Sequence, residues 1–162
     1  MKNDTLIIYA IPALQKVTAT AIKDWNRALA GRAEFILAPG KWIGRYHDIV
    51  IDYGITNRST SPDRVAQATR SNARGPMGTF TWSIVLDTRV KWSVSGWQRF
   101  WGLSQNNALS AILHELGHTL LLPHSDVAHH VMHHSLGTTY LSAEEAASIR
   151  QFWDARAKGD DF

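Results

Sequence analysis

The sequence contains no cysteine among its 162 residues, which excludes disulfide bonds, thiol nucleophiles and cysteine-ligated metal sites. No apolar run approaches the roughly 18 residues that a membrane-spanning helix requires, so no membrane span is expected. The N-terminus shows no basic segment followed by an apolar stretch and a cleavage site, so no signal peptide is visible. The net charge of +3 is too small to indicate a nucleic acid partner, and none is expected.

What is present is a globular composition, with 44% apolar and 19% charged residues. These fractions exclude an intrinsically disordered chain, a collagen-like repeat and a coiled coil. The length predicts one domain over residues 1–162, because domains cluster near about 100–150 residues. We expect this domain to act as a monomer.

Local patterns predict an α+β fold with a twisted mixed sheet. Four segments rich in β-branched and aromatic residues are predicted strands: Thr5–Ile11, Ala33–Leu37, Asp48–Tyr53 and Thr79–Leu86. Three segments with helical spacing or capping signals are predicted helices: Ala13–Leu29, about Asn107 to Leu121, and the segment after Ser142. A further short helix is predicted after Ser61, where a cap precedes a proline and an acid.

Histidine is concentrated in one short stretch of the chain. Seven of the eight histidines lie between His114 and His134, and Glu115, one of only four glutamates, lies among them. On the predicted helix that ends near Leu121, the apolar residues share one face, while His114 and His118 point nearly opposite. Such crowding contributes little to stability, so it calls for a chemical explanation.

The residues from His114 to His124 read HELGHTLLLPH, which is typical of a catalytic metal site. Two histidines four residues apart on one helical face bring their ring nitrogens close enough to share an ion. A catalytic zinc takes three protein ligands and keeps one open position for water, and His124 is the candidate third ligand. Glu115 is placed to take a proton from the metal-activated water, so it is the candidate general base.

Several alternatives stay open for the neighbouring residues. Glu144 or Glu145 is an alternative third ligand, although Glu145 also completes a capping box with Ser142. Four further histidines either form a second metal site or, as we favour, line the cleft or face solvent: His129, His130, His133 and His134. Three tryptophans either form a platform for a peptide or sugar or, as we favour, pack in the core: Trp92, Trp97 and Trp101.

The stretch from His114 to Met132 resembles the metzincin zinc peptidases, whose signature HExxHxxGxxH is followed by a methionine-containing turn. Within them it is most similar to the matrixins, because Ser125 follows His124 and Met132 lies eight residues after His124. The resemblance implies a matrixin-like zincin fold with an active-site helix, a Met-turn at Met132 and a C-terminal helix. It also implies one catalytic zinc ion on His114, His118 and His124, and it favours secreted or extracellular action.

Two of the departures from the matrixin pattern bear on the turn before His124 and on the number of bound ions. The family has a glycine seven residues after the first histidine, where positive φ is normal, and this chain has Leu121. Either Leu121 stores about 1–2 kcal/mol of strain or the turn is built differently around Pro123. No metal loop rich in histidine, aspartate and glycine is recognised between Ile55 and Phe80, which predicts a minimal domain without structural zinc or calcium.

The predicted activity is zinc-dependent hydrolysis of internal bonds in a peptide or protein substrate. An extended substrate is expected to pair with an edge strand at Thr79–Leu86, with contacts from Thr79, Phe80, Thr81, Trp82 and Ser83. The segment from His134 to Tyr140 is expected to wall the pocket for the side chain after the cleaved bond. Two alternatives remain: a lytic enzyme that cuts peptide crosslinks of a cell wall, and a zinc-binding interaction module without turnover.

Overall fold

The computed structural model describes residues 4–39, 47–59, 61–74, 80–94 and 106–158. These residues form five strands and three α-helices, in the order β1 (Asp4–Ala10), α1 (Gln15–Leu29), β2 (Ala33–Leu37), β3 (Ile49–Gly54), β4 (Ala66–Arg74), β5 (Phe80–Asp87), α2 (Ala108–Thr119) and α3 (Ala143–Ala157). A 3₁₀ turn at Pro12–Leu14 joins β1 to α1. None of these helices has the length and apolar content needed to span a bilayer.

The five described strands form one mixed sheet in the order β2-β1-β3-β5-β4, which confirms the predicted α+β class. β1 runs parallel to β2 and β3, β3 runs parallel to β5, and β4 pairs antiparallel with β5. Along β3, the fully buried Ile49 and Ile51 alternate with the more exposed Val50 and Asp52. One face of the sheet therefore packs into the core and the other is more open.

The segment after Ser61 is a strand, so the prediction of a short helix there is wrong. The cap and Pro62 produce only a single turn, in which the Arg64 N–H donates to Ser61 O at 3.1 Å. The chain then enters β4, which pairs with β5. Strand pairing overrides the local helix-start signal here, because strand formation depends mainly on neighbouring strands and less on intrinsic preference.

β4 is the edge strand on this side of the described sheet, and β5 lies between β3 and β4. The prediction of an edge at Thr79–Leu86 is therefore wrong. Its cause is the same error, since treating the outer strand as a helix leaves the inner strand without its partner. On this side, the open edge of the described sheet is therefore β4, which packs against α2.

α2 is held against α1 by burial and by one hydrogen bond. The Trp25 indole on α1 is fully buried, and its Nε1–H donates to Leu113 O on α2 at 3.0 Å. The predicted apolar face of α2 is buried as expected, through Leu109, Ile112, Leu113, Leu116 and Leu120. With that face in the core, the opposite face of α2 is directed away from α1.

Asp87 at the end of β5 is the polar anchor for the segment that precedes β4. Its fully buried carboxylate accepts hydrogen bonds from Thr56 Oγ1 at 2.6 Å and from the Arg89 backbone and guanidinium, and Arg58 lies 3.4 Å away. The hydrogen bond from Arg89, aided by Thr56, holds the pKa of Asp87 well below its usual range, although burial opposes this shift. Arg58 in turn donates to Arg64 O at 3.0 Å. The network thereby fixes the chain that enters the edge strand.

We expect Asp87→Asn to lower the free energy of unfolding by about 2–3 kcal/mol at pH 7, because two arginines lose a buried charged partner. Because the folded pKa of Asp87 is depressed, its ionised form stabilises the fold fully above the unfolded pKa of about 3.9. The difference between the two proteins should therefore shrink as the pH falls below 4. Urea unfolding at pH 7 and pH 3 measures both effects.

Asp52→Asn is the matched control, because Asp52 is an exposed carboxylate on β3. It should change the free energy of unfolding by less than about 0.5 kcal/mol. An Asp87→Asn variant as stable as this control would contradict the anchoring role.

Candidate metal centre and active site

Three imidazoles converge at one end of α2. His114 and His118 lie one turn apart on the helix, and His124 returns to them from the segment that follows it. His118 Nε2 lies 3.1 Å from His114 Nε2 and 3.2 Å from His124 Nε2. Tetrahedral zinc with bonds of about 2.0–2.1 Å requires nitrogen separations of about 3.3 Å. Both separations are close to this value, so the three histidines could hold a metal ion.

Backbone carbonyls set the orientation of two of these rings. His114 Nδ1 lies 2.8 Å from Val131 O, and His118 Nδ1 lies 3.1 Å from Leu122 O. A carbonyl only accepts, so each Nδ1 carries the proton and each Nε2 presents a lone pair to the shared centre. Facing lone pairs repel one another unless a cation lies between them, so the donor set fits a metal ion.

Burial keeps both helical histidines in the neutral form that binds metal. It lowers the pKa of His114 to about 4, with His118, His124 and His133 adding to the shift and the bond to Val131 opposing it. Burial also lowers the pKa of His118. Near pH 7 both rings are therefore unprotonated and need not release a proton when an ion binds.

The turn that returns His124 to the helix is a Schellman motif with a leucine in the left-handed position. Leu121 has φ +63°, its N–H donates to His118 O at 3.0 Å, and the Leu122 N–H donates to Gly117 O at 3.2 Å. These are the two bonds that define the motif. Of the two possibilities raised for Leu121, the structure therefore has the strained one, with positive φ at a leucine.

Glu115 lies beside the three histidines with its side chain turned into the protein. The residue is 6% exposed, and its Oε2 accepts a hydrogen bond from the Ala68 N–H of β4 at 2.5 Å. Burial raises the pKa of Glu115 to about 7, although the Ala68 bond and the charge of Arg64 act in the opposite direction. A carboxyl group with this pKa can accept and release a proton near neutral pH.

Met132 packs directly beneath α2 at Gly117. A Cβ atom at Gly117 would lie 2.2 Å from Met132 Sδ and 3.2 Å from Trp25 Cζ2, so any side chain there would displace the methionine. Met132 is 4% exposed, and its N–H donates to Glu145 Oε1 at 3.2 Å. The methionine turn is therefore attached to α2 by packing and to α3 by a hydrogen bond.

The alternative third ligands lie elsewhere. The Glu145 carboxylate is 2% exposed and accepts from Met132, while Ser142 Oγ caps α3 by accepting from the Glu145 N–H at 3.0 Å. The Ser142 cap is thus present, but the reciprocal half of the predicted capping box is replaced by the bond to Met132. Glu144 groups with His129 and His130 and not with the three converging histidines.

The three histidines and Glu115 line a cleft of about 700 Å³. Its walls include the chain that enters β4, from Arg64 to Ala68, and the segment from His134 to Leu136. His134 therefore lies where a substrate-binding residue is expected. Tyr140 is 54% exposed and is not among the described residues that line the cleft.

The predicted substrate contacts on β5 fall into two groups, those that the structure excludes and those outside what it describes. Trp82 and Ser83 pair with β3 on one side and β4 on the other, so their backbone is not available to a peptide. Thr79 lies outside the described residues, and for Phe80 and Thr81 the structure describes the backbone alone. Trp92 packs against the core and donates to Asp87 O at 2.8 Å, whereas Trp97 and Trp101 lie outside the described residues.

Sequence reasoning missed the groups that orient the site. Val131 O, Leu122 O and the Ala68 N–H are backbone atoms, and nothing in the identity of those residues marks them. Arg64 belongs to the segment after Ser61 that was predicted to be a helix, so its position in the cleft wall was not anticipated. The hydrogen bond from Met132 to Glu145 has only one indication in the sequence. Two glutamates, Glu144 and Glu145, lie at the start of α3, where a capping box needs only one.

The helix-borne histidines, the buried glutamate beside them and the α+β fold are the features of a metallopeptidase. The family model described as matrixin matches residues 7–153. The chain therefore belongs to the matrixin family of metallopeptidases, and this membership does not favour a wall-lytic enzyme or a non-catalytic module. Comparison with curated proteins gives no significant match.

We expect Leu121→Gly to leave the free energy of unfolding unchanged or to raise it by up to about 1 kcal/mol. Leu121 is 45% exposed and adopts φ +63°, so glycine relieves strain and exposes little apolar surface. Leu120→Gly is the control, because Leu120 is 2% exposed with φ −88°, and it should cost about 3 kcal/mol or more. Urea unfolding compares the two, and a loss above 1 kcal/mol in Leu121→Gly would argue against strain at this turn.

Proposed function

We propose that this chain is a zinc-dependent endopeptidase in which Glu115 is the general base. The observation that carries the proposal is the convergence of three Nε2 atoms beside a buried carboxyl group in one cleft. The family supplies the class of reaction, and the contacts around the cleft supply a role for each residue.

His114, His118 and His124 are the residues that would hold the ion. Two of them are oriented by carbonyls, which keeps the ligand nitrogens pointed at one place before any ion arrives. When bound, zinc supplies a Lewis acid that polarises the scissile carbonyl and lowers the pKa of water to about 7. His124 is the most exposed of the three, so its position depends most on the turn at Leu121.

Glu115 moves the proton in this proposal. Its pKa of about 7 lets it take a proton from the attacking water and then deliver that proton to the leaving amine. The Ala68 N–H holds one carboxylate oxygen, which leaves the other oxygen for the proton transfer.

An extended peptide can pair with the edge strand β4. The Ala68 N–H is directed towards Glu115 and away from β5, so the outer edge of β4 faces the catalytic residues at this point. Addition of a strand to such an edge provides main-chain hydrogen bonds that do not depend on the peptide sequence. His134, which also lines the cleft, is then positioned to contact substrate side chains.

We expect Glu115→Gln to retain zinc and to lose peptide hydrolysis by about 10²–10⁴-fold, since glutamine keeps an acceptor for Ala68 but cannot carry the proton. Cleavage of a peptide library followed by mass spectrometry measures turnover, and metal analysis measures zinc. Glu34→Gln, which changes an exposed glutamate on β2, should behave as the unmodified protein does. Loss of zinc together with activity would make Glu115 a ligand and not a base.

We expect His124→Ala to lower zinc affinity at this site by about tenfold or more, because two imidazoles leave the ion short of ligands. Competition with a chromophoric chelator measures the affinity. An unchanged affinity would exclude His124 as the third ligand.

A further inference from the structure

A second group of side chains that could hold a metal ion lies outside the catalytic cleft, in the loop after His124 and at the start of α3. One ligand atom from each of His129, His130 and Glu144 lies within 4.8 Å of the other two. His129 Nε2 and Glu144 Oε2 are 3.8 Å apart. The group joins two separate segments, the loop that leads to Met132 and the first turn of α3.

His130 is the member of the group with an unsatisfied ring nitrogen. It is 8% exposed, and its Nδ1 lies 2.9 Å from Ser125 Oγ. Its Nε2 is buried and has no hydrogen-bond partner among the described residues. A buried ring nitrogen without a partner costs free energy, so this atom is where an added ligand would be most strongly favoured.

We propose that His129, His130 and Glu144 bind a second divalent transition metal ion. Two imidazoles and one carboxylate form a donor set that suits zinc and its neighbours in the first row, whereas magnesium and calcium prefer oxygen donors alone. The buried His130 provides the fixed ligand through Nε2. The other two side chains are 64% and 75% exposed, so each is free to rotate towards the ion.

Ser125 connects this group to the catalytic histidines. It follows His124 in the chain, its Oγ contacts His130 Nδ1, and its N–H donates to Met132 O at 2.8 Å. An ion on His130 would favour the Nδ1–H donor to Ser125, because a metal-bound imidazole donates its other ring proton. The second ion would therefore brace the loop that positions His124 and Met132.

The site differs from the sequence interpretation, which favours a cleft or solvent position for these histidines. His134 lines the cleft, and the His133 ring is tilted against it with ring centroids 4.0 Å apart. The other two lie with Glu144, which the sequence offers only as a ligand of the first ion. The structure thus places His134 at the cleft and groups His129 and His130 with Glu144.

The test is the zinc content of the purified chain and of variants at this group. The unmodified protein should bind two zinc ions after loading and dialysis. Glu144→Gln and His129→Ala should bind one, and both are substitutions of exposed side chains that leave the core intact. Glu34→Gln and His133→Ala, which change a glutamate and a histidine outside the group, should keep two.

A His118→Ala background isolates the second site from the catalytic one. In that background zinc should still bind once and should raise the Tm, because an ion that binds only the folded state stabilises it. Adding Glu144→Gln should weaken this binding at least tenfold and abolish the shift in Tm. Neither readout involves hydrolysis, so a failure of the proposed peptidase activity is told apart from a failure of this site.

Two results would overturn the proposal. One is a single zinc ion in the unmodified protein, with no change on Glu144→Gln. The other is a second ion that both Glu144→Gln and His129→Ala retain at unchanged affinity, which would place that ion elsewhere.

Discussion

The reversal of the chain at the end of α2 positions the rest of the site. Gly117 O accepts the Leu122 N–H, and Leu121 takes the left-handed conformation that closes the turn. The reversal returns His124 to the helix and at the same time aims Leu122 O at His118 Nδ1. One turn thus supplies a third imidazole and orients the second one. The positive φ of Leu121 therefore lies in the turn that builds the site.

A second constraint is the close approach of Met132 to α2 at Gly117. Gly117 has no side chain, so the sulfur of Met132 occupies the space that any Cβ would need. The turn that carries the methionine also supplies Val131 O to His114, and Glu145 holds it to α3. The same loop therefore packs Met132 against α2 and orients the His114 ring. This explains why Val131 and Met132 are buried although residues 126–129 are exposed.

The sheet contributes an edge as well as a core. β4 brings the Ala68 N–H to Glu115 and leaves its outer groups towards the cleft, while Asp87 fixes the chain that leads into β4. The carboxyl group is therefore desolvated by the strand that a substrate would join. A buried carboxyl with a raised pKa and an open strand edge at one place account for both proton transfer and peptide binding in the proposed activity.

The sequence by itself determined the catalytic helix, because helical periodicity is local and separates the leucine face from His114 and His118. It also determined the family and the strand segments other than β4, which have strong β-branched patterns. The sequence could not determine that Ala66–Arg74 is the edge strand, because its weak local signal was overridden by pairing with β5. The carbonyls that orient the rings, the bond from Met132 to Glu145, and the grouping of His130 with Glu144 were likewise decided by the tertiary structure. The physical reason is the same in each case: these contacts join residues far apart in the chain, or backbone atoms whose roles do not depend on residue type.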